Sequence, residues 1–453
     1  MSGIGTRPAH AGAAGNRAGT IGDAVSFLTV YLILSVALPS YLSITALGSL
    51  GRPSTLWGLL ALFWWAFEQL RRTTPVPHGS KAVRWALLLF LGAVLMSYAV
   101  SNLQGIPSSE STPADTGMLR VAGWVGVALL ANDGIASWER WLVLVRRLVL
   151  IGGLTAVLGL GQFLTGQSLL EWMSLPGFSA DSAYGSVSSR GEFVRPSGTA
   201  SQPLEYAVVL SMVLPLALTL ALTERQRSLA ARWWPVLALA LASITSGSRS
   251  AFIGTAVGLM VLVPTWSAAV RLRALIAMAV LMGIVYVAVP GIAGTVRGMF
   301  QSLGNDSSSL SRTDSYDIAV DIASRNLYFG RGFGTFLPHY RIFDNGYLTA
   351  LVEIGLIGVS LLIMVLLMTV WGSLRAARMA PAGSPARAVG VALAASMLAG
   401  GVLFAFFDGL NFSMSAALLF LMTGVAGGYR GLNSYRGVSR AQANGESPTQ
   451  EDP

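Results

Sequence analysis

The chain has 453 residues, of which 53% are hydrophobic and 11% charged. A soluble domain carries roughly 25% charged residues, so this composition excludes a disordered chain and argues strongly against a soluble enzyme. The net charge is +9, Lys81 is the one lysine among 30 basic residues, and there is no cysteine. Disulfides, thiolate catalysis and cysteine metal sites are therefore ruled out.

A membrane helix needs about 20 apolar residues. Candidate spans fall at 23–47, 54–70, 82–101, 118–132, 147–166, 203–223, 233–246, 250–267, 273–290, 346–371, 388–407 and 413–429. The segments at 118–132, 233–246 and 250–267 are short for a span. With twelve spans the loops alternate in charge. Twenty of the 30 basic residues fall on one side, together with both termini. The positive-inside rule makes that side cytoplasmic. The high net charge then records orientation, and nucleic acid drops out as a partner. Residues 1–22 read as a loose cytoplasmic tail, 23–429 as one polytopic membrane domain, and 430–453 as a disordered tail. The other side carries an acidic loop with Glu110 and Asp115 and two long loops, 167–202 and 291–345.

Charges at or inside the membrane are expensive and mark function. In chain order, the first group is Arg190 to Glu205, including Arg195-Pro-Ser-Gly-Thr, with Glu205 just inside the sixth span. Glu205 is either a site residue or a helix-start carboxylate favoured by the dipole. The second is the turn Ser246-Gly-Ser-Arg249, where small residues admit an anion and a guanidinium grips phosphate bidentately.

The third runs from Arg312 through Asp314, Asp317 and Asp321 to Arg325, then Gly330-Arg331-Gly-Phe-Gly334. Residues 313–325 suit an amphipathic interfacial helix. Its three aspartates read better as a solvated face than as a metal site. The glycine run reads better as a flexible turn than as a phosphate cradle, because no Walker lysine follows.

The fourth contains His339, Asp344, Asn345 and Glu353. Asp344 and Asn345 stand where an N-cap would stand. Glu353 lies about 13 Å further into the tenth span, at ~1.5 Å per residue, and needs a partner there.

The pattern Asp-Asn-x-x-Leu-x-x-x-x-Glu-x-Gly-x-x-Gly from Asp344, after a loop ending in Gly-x-Gly-x-Phe, resembles the O-antigen ligase and O-antigen polymerase family. The Ser-Gly-Ser-Arg turn, the Arg-x-Ser-Gly-Thr stretch and Arg312 before the loop helix fit the same resemblance. It covers about residues 150–430 and is sharpest over 240–370.

The resemblance implies an all-α, polytopic fold of the GT-C glycosyltransferase type in the inner membrane of a bacterium, with an external active site. It implies inverting transfer of a glycan from an undecaprenyl-diphosphate carrier to an acceptor glycan or lipid, without metal or cofactor. A chain-length regulator is a candidate further partner that the sequence itself does not show. By the same resemblance, Arg195, Arg249 and Arg312 hold the diphosphate, and Asp344, Asn345 and Glu353 carry the chemistry. His339, Arg331 and Glu205 complete the candidate set. Many ligases have a catalytic histidine where this chain has Asp344, and His339 is five residues too early to replace it. That departure favours a polysaccharide polymerase over a ligase. The rival reading is a transporter of a small anion or lipid-linked saccharide. It is weakened by the absence of a sequence repeat and by the gathering of charges at one face.

Overall fold

A computed structural model describes residues 23–71, 79–173, 175–180, 188–190, 193–288 and 307–443. Each apolar segment contains a helix. In chain order these are α1 (Ala24–Leu32), α2 (Pro53–Arg71), α3 (Lys81–Gln104), α4 (Ser108–Asp133), α5 (Trp138–Thr165) and α6 (Pro203–Thr223), then α7 (Leu229–Thr245), α8 (Arg249–Leu262) and α9 (Ala268–Ala288). After α10 (Ser307–Ser324), the loop helix, come α11 (Gly346–Met379), α12 (Pro385–Leu403) and α13 (Ser413–Ala443). The fold is an all-α, multi-pass membrane architecture. Among the described residues, seven helices (α3, α4, α5, α6, α9, α11 and α12) are long and apolar enough to cross a membrane.

Two expected spans differ in detail. The segment 118–132 is the inner part of α4, which has 26 residues and begins at Ser108. Its first two turns are polar and contain Pro113, so hydropathy does not register them, although Glu110 suits a helix N-terminus. The segment 23–47 is broken. α1 passes into a π-turn over Ile33–Ala37. The chain then leaves the helix as β1 (Leu42–Ile44), which pairs antiparallel with β2 (Phe178–Ala180). A second ribbon, β3 (Ser188–Arg190) with β4 (Phe193–Arg195), lies in the same long loop. α13 continues to Ala443, through the first part of the segment read as a tail. The tail positions 1–22 and 444–453, and loop positions 181–187 and 289–306, lie outside the described residues.

The middle of the bundle is built from α4, α6, α12 and the first half of α13, whose side chains are buried on nearly every side. α4 packs on α2, α3 and α13, while α6 packs on α7, α8 and α12. Lipid offers no hydrophobic drive for helix association, so close backbone approach carries the packing. Gly58 of α2 illustrates it: a Cβ there would stand 2.9 Å from the Gly123 carbonyl of α4. α9 is equally apolar yet lies at the rim, touching α7 through Val285 and Ile244.

Candidate functional site

The site forms where α11 begins, and the break inside α11 determines its shape. At Gly355 the backbone turns to φ 67°, ψ −176°, and the helix resumes beyond it. A break at membrane depth frees backbone groups that must find partners within the protein. The segment 327–332 supplies them. Arg331 N–H donates to the Val352 carbonyl at 3.1 Å, and Gly332 N–H to the Glu353 carbonyl at 2.8 Å. In the other direction, Leu356 N–H donates to Leu327 and Ile357 N–H to Tyr328. The two chains nearly touch: a Cβ on Gly330 would stand 2.4 Å from the Glu353 carbonyl, and one on Gly355 would stand 2.4 Å from Tyr328. Gly330, Gly332 and Gly334 all have positive φ. The glycine run is therefore a rigid plug in the break, not the flexible turn expected.

Glu353 completes that plug. Its side chain is buried. Its carboxylate accepts from the Phe336 N–H at 3.2 Å and from the Gly334 N–H. Ser97 of α3 donates to its carbonyl. The partner this buried carboxylate required is thus the backbone of the plug, with Arg120 as a more distant positive charge.

Asn345 is the N-cap of α11, its Oδ1 accepting from Tyr347 and Leu348 N–H. Its Nδ2 faces the Tyr316 hydroxyl of α10 at 3.4 Å. α10 lies on the first turns of α11, with Ala319 and Ala323 packed among Phe336, Phe343, Leu348 and Val352. Asp344, half-buried, holds a left-handed φ of 50°. That conformation is uncommon outside glycine and often stored at functional sites.

The turn between α12 and α13 closes over this mouth. Gly346 N–H donates to the Phe404 and Phe407 carbonyls. Asp408 from the turn faces Thr349 of α11 and feels the charges of Asp344 and Arg120. Its Oδ2 accepts from Asn411 Nδ2 at 2.6 Å, while its buried Oδ1 has no hydrogen-bond partner among the described residues. Desolvation is the main cause that raises its carboxyl pKa to about 6, against the opposing Asn411 bond. Arg120, projecting from α4, donates to the Leu410 and Asn411 carbonyls at 2.9 and 3.0 Å. Its guanidinium lies 5.2 Å from the Trp124 ring. It also interacts with Glu353, Asp408 and Glu205, and is repelled by Arg52. Arg52, Arg120 and Asp408 were not singled out from the sequence.

The remaining candidates have other positions. Arg249 is the first residue of α8 and half-buried, after Gly247 at φ 58°. A Cβ on Gly254, five residues on, would stand 2.6 Å from Leu403, the last residue of α12, so Arg249 opens toward the end of the bundle that holds the turn. Arg195, on β4, is half-buried, and the Ser-Gly that follows it is clamped by Gln162 of α5 through 3.1 and 2.8 Å bonds. Arg312 lies on α10, and its side chain falls outside the described residues, as does that of Asp314.

Three candidates have structural partners. Glu205 accepts from Met414 and Ser415 N–H, capping α13, and from Ser40 and Ser201. It stands in the first turn of α6 and also caps a second helix, α13. Arg331 bridges buried Glu110 at 2.8 Å. Tyr340 donates to the same Glu110 oxygen at 2.6 Å, which raises the phenol pKa. His339 is exposed, its ring 4.1 Å from that of Tyr340 and tilted 49° to it. Asp321 and Arg325 form an exposed 3.8 Å pair, as a solvated face would. Among the described residues, no three His, Cys, Asp or Glu side chains gather as a metal site.

Residues 234–363 match the family model described as O-antigen ligase. Over that stretch the chain is similar to the O-antigen ligase family. The match runs from α7 into α11 and takes in Arg249, α10, the glycine plug, Asp344, Asn345 and Glu353. It is narrower than 150–430 and close to the 240–370 core of the resemblance. Arg120, Glu205 and Asp408 lie outside it and reach the domain by packing. No curated protein matches the chain. The family match supports an O-antigen ligase-like reading for a multi-pass membrane protein over residues 234–363.

Proposed function

We propose that the protein is a polysaccharide polymerase that elongates a glycan from an undecaprenyl-diphosphate-linked donor at the outer face of the cytoplasmic membrane. Asp344, Asp408 and Arg120, which interact electrostatically at the mouth of α11, carry this reading. Glycosyl transfer needs a base for the attacking hydroxyl and positive charge for a leaving diphosphate. Asp344, in its left-handed conformation, is the base. The charge of Asp344 adds to the desolvation that raises the carboxyl pKa of Asp408. Arg249 and Arg312 hold the diphosphate with Arg195 assisting, and Arg52 and Arg120 add positive potential. One displacement by the hydroxyl inverts the anomeric centre. Glu353 and Asn345 hold the geometry: Glu353 fixes the plug and Asn345 starts the helix. An aspartate in place of the ligase histidine favours polymerase over ligase.

Purified protein given a lipid-diphosphate-linked oligosaccharide should yield longer lipid-linked glycans. Transfer only to a lipid A-type acceptor would turn the assignment to ligase. The break in α11 favours a second reading, because broken helices mark transporters. Here four of the backbone groups at the break bond to residues 327–332, which weakens a solute site there. Substrate-dependent flux without glycan product would support transport instead.

A further inference from the structure

The arginine-rich end of the bundle holds a cleft that the reaction does not use. It is about 250 Å³, lies between α5, α6 and α7, and is lined by Arg146, Arg147, Arg227 and Arg232 with a single carboxylate, Glu224. Arg146 pairs with Glu224 at 2.7 Å, and Arg227 stands 3.8 Å from it. Arg147 donates one bond to Thr29, and Arg232 donates one to the Ala221 carbonyl. A guanidinium has five N–H groups, so each of these contacts leaves most of the donors uncommitted. Three positive charges remain in excess of the carboxylate.

The rest of the wall is apolar, with Leu150, Trp234 and Pro235 among its residues. From Leu150 an exposed stripe continues along α5 through Leu154 and Val157, at 46%, 54% and 48% exposure. These are i, i+4 and i+7, one face of the helix. A charged recess that opens onto an apolar stripe fits an amphiphile better than a free anion, and basic pockets between membrane helices suit anionic headgroups.

We propose that this cleft binds the phosphodiester headgroup of an anionic phospholipid from the leaflet at that end, with an acyl chain lying along Leu150, Leu154 and Val157. The site is independent of the glycan chemistry and stands or falls separately from it. The full-length protein in detergent, offered an equal mixture of phosphatidylglycerol and phosphatidylcholine, can be read by native mass spectrometry. Phosphatidylglycerol should be retained at least tenfold over phosphatidylcholine. Arg147→Gln with Arg227→Gln should cut that preference at least fivefold, since each basic residue near a membrane surface contributes about that factor. Arg227→Gln alone, at a half-exposed side chain, should act in the same direction without a folding defect. Glu224→Gln should raise the preference. Equal retention of the two lipids, or a preference unchanged in the arginine variants, would overturn the proposal. Displacement of the bound lipid by millimolar inorganic phosphate would reassign the cleft to a free anion and overturn it as well.

Discussion

The two ends of the bundle use charge in opposite ways. At the arginine-rich end, cations outnumber anions: Arg140 pairs with Asp23 and Arg146 with Glu224 near the surface, and Arg84 with the buried Asp133. At the other end, more of the carboxylates are buried. Glu110, Glu205 and Glu353 are at most 1% exposed, and they are held by backbone N–H groups, hydroxyls and a few arginines. The first arrangement is set by residue count along the chain and is what the positive-inside rule reads. The second exists only after packing. The difference teaches that a charge at the membrane surface can be placed by composition, whereas a buried charge is there because tertiary structure supplies its partners.

Substitutions can break that contrast. The largest effects belong to the mouth of α11. Asp344→Asn should lower glycan elongation by about 10²-fold or more in folded protein. Asp408→Asn should act in the same direction on activity and in the opposite direction on stability. The carboxyl pKa of Asp408 is raised to about 6 in the fold, so the folded state binds this proton more tightly than the unfolded chain does. Its contribution to stability is present at low pH and is lost as pH rises through about 6. At pH 7.5 the variant should therefore melt higher than the parent, as read by thermal unfolding in detergent. Elongation by the parent should rise with pH around 6, and the variant should lose that dependence.

Next comes Gly330→Ala, which sets a methyl against the Glu353 carbonyl at 2.4 Å in a left-handed backbone. It should reduce folded yield sharply on size-exclusion chromatography, where a mobile turn would tolerate it. Arg331→Gln should be intermediate. It leaves buried Glu110 with the Tyr340 bond alone, and should cost about 2 kcal/mol in thermal or denaturant unfolding. Smallest is Arg325→Ala, at a pair whose side chains are 75% exposed. It should change stability by less than about 0.5 kcal/mol.

Much of this was legible in the sequence. Long apolar runs gave the helices, because a membrane helix is specified by composition. The cap at Asn345 and the need of Glu353 for a partner followed from their places on one apolar helix. Two things were not legible. The glycine plug looked like a flexible turn because its partner, the break at Gly355, lies more than twenty residues away. Arg120, in the middle of α4, and Asp408, in the turn between α12 and α13, are far apart in the chain. Only the packing of α4 against α13 brings Arg120 to the turn that carries Asp408. Hydropathy also hid the first turns of α4, and with them the burial of Glu110.

The central claim is that the carboxylates at the mouth of α11 perform glycosyl transfer. The most direct measurement is elongation of a purified lipid-diphosphate-linked oligosaccharide by the parent, Asp344→Asn and Asp408→Asn proteins, each checked for folding. The parent should give longer lipid-linked glycans, and the Asp344→Asn protein should lose about 10²-fold or more of that activity. Parent-level turnover in that variant, or no glycan product from the parent, would contradict it.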